Sequence, residues 1–193
     1  MRLILGSASP RRAELLSAAG FTFDVRVADV DERVRPGERP HDYVRRLALE
    51  KSAAVLDRLE STLAGDPGVL VLAADTSVIV DDTILGKPAD DADAERMLRS
   101  LSGRAHLVLT GVSVRGARAH LDEVEETRVF VKPLSKAEIA WYVASGEGRD
   151  KAGAYAIQGL ASRFITRIEG SYTNVVGLPV ARVAELVSRL ADG

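Results

Sequence analysis

Several short segments of this sequence carry residue types able to act on a charged substrate. The first, Ser7-Ala8-Ser9-Pro10-Arg11-Arg12, lies between a hydrophobic triplet and the start of a helical pattern. Open N–H groups and the positive dipole end of a helix N-terminus favour an anion. Two serines and two arginines add donors around that point, although an ordinary capped helix with solvated arginines carries the same residues. The second segment, Asp75-Thr76, follows the apolar run Val69 to Ala74. A strand is expected to end there, and open α/β sheets collect ligands at the carboxyl ends of strands. A carboxylate in that place can activate water or hold a metal; it can also simply cap a turn.

Other segments supply cations and close backbone approaches. Lys51 sits beside the apolar stripe formed by Leu47, Ala54 and Val55, where a lysine commonly snorkels to solvent. Lys87, in Gly86-Lys87-Pro88, occupies a loop able to aim its ammonium inward or leave it on the surface. The segment Asp150-Lys151-Ala152-Gly153-Ala154-Tyr155-Ala156-Ile157-Gln158-Gly159 is rich in small residues that admit a ligand near the backbone. Its Gln158 offers both a donor and an acceptor to a base edge, and a tightly packed buried loop has the same composition. Glu169 to Pro179 is a further turn-rich passage leading into a helix.

Composition removes several classes of chemistry. The chain has 193 residues, 46% hydrophobic and 28% charged, so a packed core is expected. With no cysteine, disulfides, thiolate zinc sites and cysteine nucleophiles are excluded together. Three scattered histidines, His41, His106 and His120, make a zinc hydrolase a poor fit. Neither G-x-x-x-x-G-K-[ST] nor G-x-G-x-x-G occurs, so Walker-type and Rossmann-type phosphate sites find no support. The formal net charge of -2 and 5% aromatic content argue against a nucleic-acid partner. No run approaches the ~20 apolar residues of a membrane span, and the apolar opening is too short for a signal peptide. A cytoplasmic protein without a membrane partner is the expectation.

These residues need elements to position them, and the pattern alternates strands with helices in the α/β manner. Leu3-Ile4-Leu5 predicts a buried strand, followed by a helix with Ser9 as N-cap and Pro10 first, stopping at Gly20. Phe21 to Val27 alternates as a half-buried strand, and His41 to Leu59 has helical spacing. Gly65 to Gly68 reads as a turn. Val69 to Ala74 predicts a central strand ended by Asp75 and Thr76, with β character resuming at Val78. Asp91 to Leu101 is helical, and His106 to Val114 and Val124 to Val131 are strands joined around Gly116. Ser135 with Glu138 forms a capping box before a helix. Phe164 to Ile168 predicts a strand and Pro179 to Leu190 a closing amphipathic helix. One domain over 1–193 accommodates this order.

Taken as an ordered set from Ser7 to Pro179, these segments resemble the Maf family of nucleoside triphosphate pyrophosphatases, also known as septum formation inhibitors. The resemblance rests on the serine–arginine segment, Asp31-Glu32, Glu50-Lys51, Ala74-Asp75-Thr76, Gly86-Lys87-Pro88, Asp150 to Tyr155, Ile157-Gln158-Gly159 and Gly170-Ser171-Tyr172 through Pro179. It implies an elongated, twisted mixed β-sheet flanked by helices, with two lobes around a nucleotide cleft, as in inosine triphosphatases. It implies cleavage of a nucleoside triphosphate between the α- and β-phosphates with a divalent cation (Mg²⁺, Mn²⁺ or Co²⁺). By the same resemblance Asp75 accepts the proton, and Glu32 and Asp75 hold the metal. Ser7, Arg11, Arg12, Lys51 and Lys87 line the triphosphate. Arg11, Thr76 and Gln158 match the branch that prefers dTTP and UTP, in contrast to the 7-methyl-GTP branch. Ala156 departs from the glycine common between Tyr and Ile, a change tolerated unless φ there is positive. A homodimer would be unsurprising.

The chemistry agrees with the charges. A triphosphate needs cations for binding and for its transition state, while carboxylates are needed to accept a proton and to ligate metal. Two other readings remain at this point: a non-catalytic nucleotide-binding regulator of septum formation, and a house-cleaning pyrophosphatase for purine or 7-methyl-GTP nucleotides.

Overall fold

A computed structural model describes residues 1–59, 66 and 68–191. In the order in which they occur, the strands are β1 (Arg2–Leu5), β2 (Phe23–Val25), β3 (Val69–Val80), β4 (Thr83–Leu85), β5 (Ala105–Arg115), β6 (His120–Val131) and β7 (Ile165–Glu169). The helices are α1 (Pro10–Ala18), α2 (Pro40–Asp57), α3 (Asp91–Leu101), α4 (Lys136–Ser145), α5 (Tyr172–Val176) and α6 (Val180–Ala191). The strands join in one mixed sheet of order β2-β1-β3-β5-β6-β7, with β4 paired to β3. β1 runs parallel to β2 and β3, whereas β4 and β7 are antiparallel to β3 and β6. The mixed α/β architecture expected from the sequence is therefore present.

Two compact units divide the chain. The first comprises Met1–Asp75, Thr110–Glu125 and the stretch from Gly177 onward; the second comprises Thr76–Leu109 and Glu126–Val176. In the first, β1 and β3 are buried on both faces. Leu3, Leu5, Leu70 and Leu72 enter one apolar cluster with Leu16, Val183 and Leu186. Ile4, Val69 and Val71 enter another with Val55. The registers Leu3↔Leu70 and Ile4↔Val71 keep each set on its own face. That double burial explains why the run reads as continuously apolar rather than alternating.

Helix α2 lies directly on β5 in this unit. A Cβ on Gly111 would stand 2.2 Å from the carbonyl oxygen of Val44, so only a hydrogen lets the helix backbone come this close. Buried hydroxyls reinforce the contact. Ser52 Oγ donates to the Leu49 carbonyl, lies 2.9 Å from Ser113 Oγ, and accepts from Arg115 Nε at 3.1 Å.

The second unit packs α3 and α4 on its strands through Val78, Val80, Met97, Leu98, Val129, Ile139, Tyr142 and Phe164. His106 is buried within it, its Nε2 2.8 Å from the hydroxyl of Tyr155 and its Nδ1 without a hydrogen-bond partner among the described residues. Burial pushes its pKa down to about 4. An unfolded chain takes up this proton near pH 6.5, the folded one only near 4, so acid removes stability across that interval. From about pH 7.5 to about pH 5 the loss from this group is about 2 kcal/mol, or roughly 5 °C in melting temperature. His106→Gln should flatten the melting temperature over that range by this amount. Superimposable wild-type and variant pH profiles would contradict it.

Several expectations need correction. Asp75 and Thr76 do not end a strand: β3 runs unbroken from Val69 to Val80. The interruption was inferred from polar residue types, but hydrogen bonding along a ladder tolerates a polar side chain. The pairing of β1 stops at Leu5↔Leu72, so Asp75 stands past the carboxyl end of β1, which supplies the strand end β3 does not. β2 is shorter than Phe21 to Val27, and Ser9 occupies the N-cap of α1 without a side-chain capping bond. The capping box of Ser135 with Glu138 is present in full. Of the turn expected at Gly65 to Gly68, Gly65 and Pro67 lie outside the described residues; Gly68 N donates to Asp66 Oδ1 at 2.8 Å.

Candidate active site

The geometry of the first unit converges on Lys51. Its Nζ is 2.7 Å from Asp75 Oδ1 and 2.7 Å from Glu32 Oε1. Lys51 comes from the middle of α2, Asp75 from β3 and Glu32 from the irregular stretch between β2 and α2. The ammonium does not snorkel away; its side chain is 14% exposed and Asp75's 12%, while Glu32's is 60% exposed. The cluster is thus closed on the β3 side and open at Glu32.

Ser7 and Arg12 build the neighbouring wall. Ser7 is buried, and its Oγ accepts from Arg12 Nη1 at 3.1 Å and from the backbone N–H of Ser9 at 3.2 Å. Arg12 Nε donates to the carbonyl of Gly177 at 2.8 Å, which fixes the guanidinium across the start of α1. Burial lowers the Arg12 pKa from its ordinary value. The charge of Asp75 opposes that shift, Arg11 adds to it and Glu32 again opposes it. Asp75, Arg11 and Glu32 are thus each close enough to Arg12 to act on its charge. Of the residues singled out from sequence, Ser7, Arg11, Arg12, Glu32, Lys51 and Asp75 are therefore brought together.

Two residues that sequence reasoning missed hold Glu32 in place. Tyr43 Oη donates to the Glu32 carbonyl at 2.9 Å. Arg46 donates to the carbonyls of Asp31 and Arg33 and to both carboxylate oxygens of Glu38. Its guanidinium holds Glu38 well below the usual carboxylate range. The signal was helical spacing: Tyr43, Arg46 and Glu50 recur at i, i+3 and i+7 on α2, one polar face turned toward the loop.

Thr76, Lys87 and Gln158 belong to the second unit. Thr76 is the next residue of β3, and the strand pleat turns its side chain to the face opposite that of Asp75. Lys87 is exposed in the loop after β4, and the Gly86 carbonyl accepts from Gly153 N at 3.0 Å. Gln158 is exposed, in a segment otherwise buried from Gly153 to Ile157. Left-handed backbone occurs at Gly153 and Ala154, not at Ala156, so the alanine there needs no special φ.

The donor set suits a hard divalent cation. Mg²⁺ takes one or two carboxylates from a protein and completes its shell with water and substrate phosphates. Glu32 and Asp75, already converging on one cationic atom, provide that pair. Among the described residues no group of three or more acidic or histidine side chains offers an all-protein cage. No helix among them is long and apolar enough to cross a membrane.

Comparison with known proteins agrees with the sequence motifs. The family described as Maf-like protein matches residues 2–190. A protein of Anaeromyxobacter dehalogenans (strain 2CP-C) named dTTP/UTP pyrophosphatase is 53% identical, over 97% of this chain and 93% of its own. One of Koribacter versatilis with the same name is 50% identical, over 98% and 94%. Among solved structures, the Staphylococcus aureus Ham1 protein shares the fold at a TM-score of 0.50 and 12% identity, over 96% of this chain and 99% of that one. Matched over nearly its whole length by the family and by relatives sharing half their residues with it, the chain belongs to the Maf-like family.

Proposed function

We propose that this protein is a nucleoside triphosphate pyrophosphatase that hydrolyses dTTP and UTP to the monophosphate and pyrophosphate. The observation that carries the reading is the pair of carboxylates, Asp75 and Glu32, held 2.7 Å from one lysine beside the Ser7–Arg12 wall. The relatives' names supply the substrates, and Arg11, Thr76 and Gln158 match the residue types of that branch.

In this reading Ser7, Arg11 and Arg12 take the triphosphate at the start of α1, where backbone N–H groups add donors. Asp75 accepts a proton from water as its oxygen bonds to the α-phosphorus, and the bond from that phosphorus to the bridging oxygen breaks. Pyrophosphate leaves with the electron pair, its charge neutralised by Lys51 and Lys87. A divalent cation (Mg²⁺, Mn²⁺ or Co²⁺), held by Glu32 and Asp75, supplies further neutralisation of the phosphates when bound. Gln158 and Thr76 select the base.

A scan of nucleotides for metal-dependent pyrophosphate release tests the assignment. dTTP and UTP should rank first, and Gln158→Glu should compress their advantage over CTP by about tenfold, the worth of one well-placed hydrogen-bond pair. No turnover of any nucleotide would favour a non-catalytic regulator. A purine-first ranking would favour a different house-cleaning role. An unchanged ranking in the variant would remove Gln158 from base selection.

A further inference from the structure

The Gln158 segment is gripped on both sides by a device outside the family motifs recognised in the sequence. Tyr142, on α4, accepts a hydrogen bond from Ala156 N at 3.1 Å through its hydroxyl and donates the hydroxyl proton to Glu147 Oε2 at 2.8 Å. Glu147 Oε1 accepts from Leu160 N at 2.8 Å, and Oε2 accepts a longer bond from Ala161 N at 3.4 Å. Only residues 157–159 span the interval between the two anchor points. A Cβ on Gly159 would stand 2.0 Å from Glu147 Oε1, so glycine there lets the carboxylate lie against the backbone.

The grip itself is rigidly mounted. Tyr142 is 1% exposed, its ring meets Phe164 edge-on at 5.6 Å, and it belongs to the second unit's apolar cluster. Burial and the bond to Glu147 raise its pKa, so the hydroxyl keeps the proton it donates. Glu147 follows the left-handed Gly146 that terminates α4, and its backbone N–H donates to Ser145 Oγ at 3.2 Å. On the other side of Ala156, Tyr155 is tied to His106.

We propose that Tyr142 and Glu147 are positioning residues for base selection, fixing the backbone on either side of Gln158 so that its amide meets the nucleotide base in one orientation. This rests on the reading of Gln158 as the base-selecting residue. Selection by hydrogen bonding requires a donor and an acceptor held in fixed directions, since a mobile amide rotates to suit a wrong base. Three residues between two anchored amides, of which Ile157 is itself buried and Gln158 exposed, are held far more narrowly than a free loop. The carboxylate and phenol do not need to touch the nucleotide to have this effect.

The test compares kcat and KM for dTTP, UTP and CTP in the metal-loaded full-length enzyme and its variants. Tyr142→Phe keeps the packed ring and loses both hydrogen bonds; Glu147→Ala loses the other anchor; Glu147→Gln keeps an acceptor for Leu160 N. Tyr142→Phe and Glu147→Ala should each lower the dTTP-to-CTP preference by about fivefold, on the scale of a lost hydrogen bond. The change should appear in KM, with kcat for dTTP within about twofold, and Glu147→Gln should recover part of it. In a Gln158→Ala background, Tyr142→Phe should change the preference no further, because the two substitutions remove one interaction. A structural role alone would lower stability and affect all nucleotides equally. Wild-type preference in Tyr142→Phe and Glu147→Ala, while Gln158→Ala loses it, overturns the positioning role. Additive losses in the double variant overturn it as well. Wild-type preference in Gln158→Ala is a separate failure, that of the underlying reading of Gln158.

Discussion

Asp75→Asn is expected to lower kcat for dTTP hydrolysis by at least ~100-fold, the lower end of a general base's contribution, while the protein stays folded. The substitution is nearly isosteric in a position where only 12% of the side chain is exposed. The amide oxygen can still accept from Lys51 Nζ, and Glu32 still neutralises that ammonium, so no buried cation is stranded. An amide has no basic lone pair for the proton of an attacking water. It also contributes no charge to a divalent cation. The loss should therefore fall on kcat, with a melting temperature close to that of the wild type. Turnover within a few-fold of wild type would remove Asp75 from the role of proton acceptor and shift attention to Glu32, which is the more exposed of the two.

Gly111→Ala should have the largest effect on stability of any methyl-sized change in the first unit. Its new carbon would lie 2.2 Å from the Val44 carbonyl oxygen, 2.5 Å from the carbonyl carbon and 2.9 Å from Arg45 N. All of these are backbone atoms of α2, so no side chain can rotate away. The helix must move, or β5 must buckle. Overpacking of this kind typically costs 1–3 kcal/mol and here should reach about 3 kcal/mol or more, a fall of roughly 10 °C in melting temperature. Because α2 also carries Lys51, Tyr43 and Arg46, catalysis should fall with stability. Thermal unfolding followed by circular dichroism measures the first effect, and pyrophosphate release the second. A melting temperature within about 2 °C of wild type would mean that α2 has room to slide.

Much of this architecture could be read from residue types alone, for physical reasons that differ by element. β1 and β3 were legible because burial on both faces demands uninterrupted apolar runs, and Leu3 to Leu5 and Val69 to Ala74 satisfy it. α4 was legible because Ser135 and Glu138 satisfy each other's backbone groups locally. Ser9 is the contrasting case: the residue type suits an N-cap, but the nearby Ser7 hydroxyl takes the Ser9 N–H while also receiving Arg12. The residue type places Ser9 at the cap without its side chain closing the capping bond. At Asp75 and Thr76 polar residue types suggest a strand end, although the ladder continues through them.

The site shows the same division. Serines and arginines at a helix start, and an aspartate after an apolar strand, announce themselves through local chemistry. That Lys51 joins Glu32 to Asp75 depends on α2 being seated against β5, and Gly111 permits that seating. A lone glycine within a strand pattern is a known sign of close backbone approach, but nothing near it in sequence names the partner. The hold of Tyr43 and Arg46 on the Glu32 loop, and of Tyr142 and Glu147 on the Gln158 loop, likewise joins side chains to backbone groups elsewhere in the chain. Backbone donors and acceptors leave no residue-type signature, so such contacts are invisible until the chain is folded.

The interleaving of the two units along the chain has a consequence for synthesis. The second unit has all its segments once Val176 has been made, whereas the first still lacks Leu178, Val183, Leu186 and Val187 of its apolar cluster. Arg12, early in that unit and bonded to Ser7, also waits for the Gly177 carbonyl that fixes its guanidinium. On a ribosome the second unit can thus mature first, while the first, begun earlier, is completed later. A nascent or truncated chain ending before Gly177 would carry Ser7, Arg12, Glu32, Lys51 and Asp75 without the carbonyl that fixes Arg12 or the helix that closes the apolar cluster. The first unit's apolar cluster is thereby left incomplete until the residues that follow Gly177 have been made.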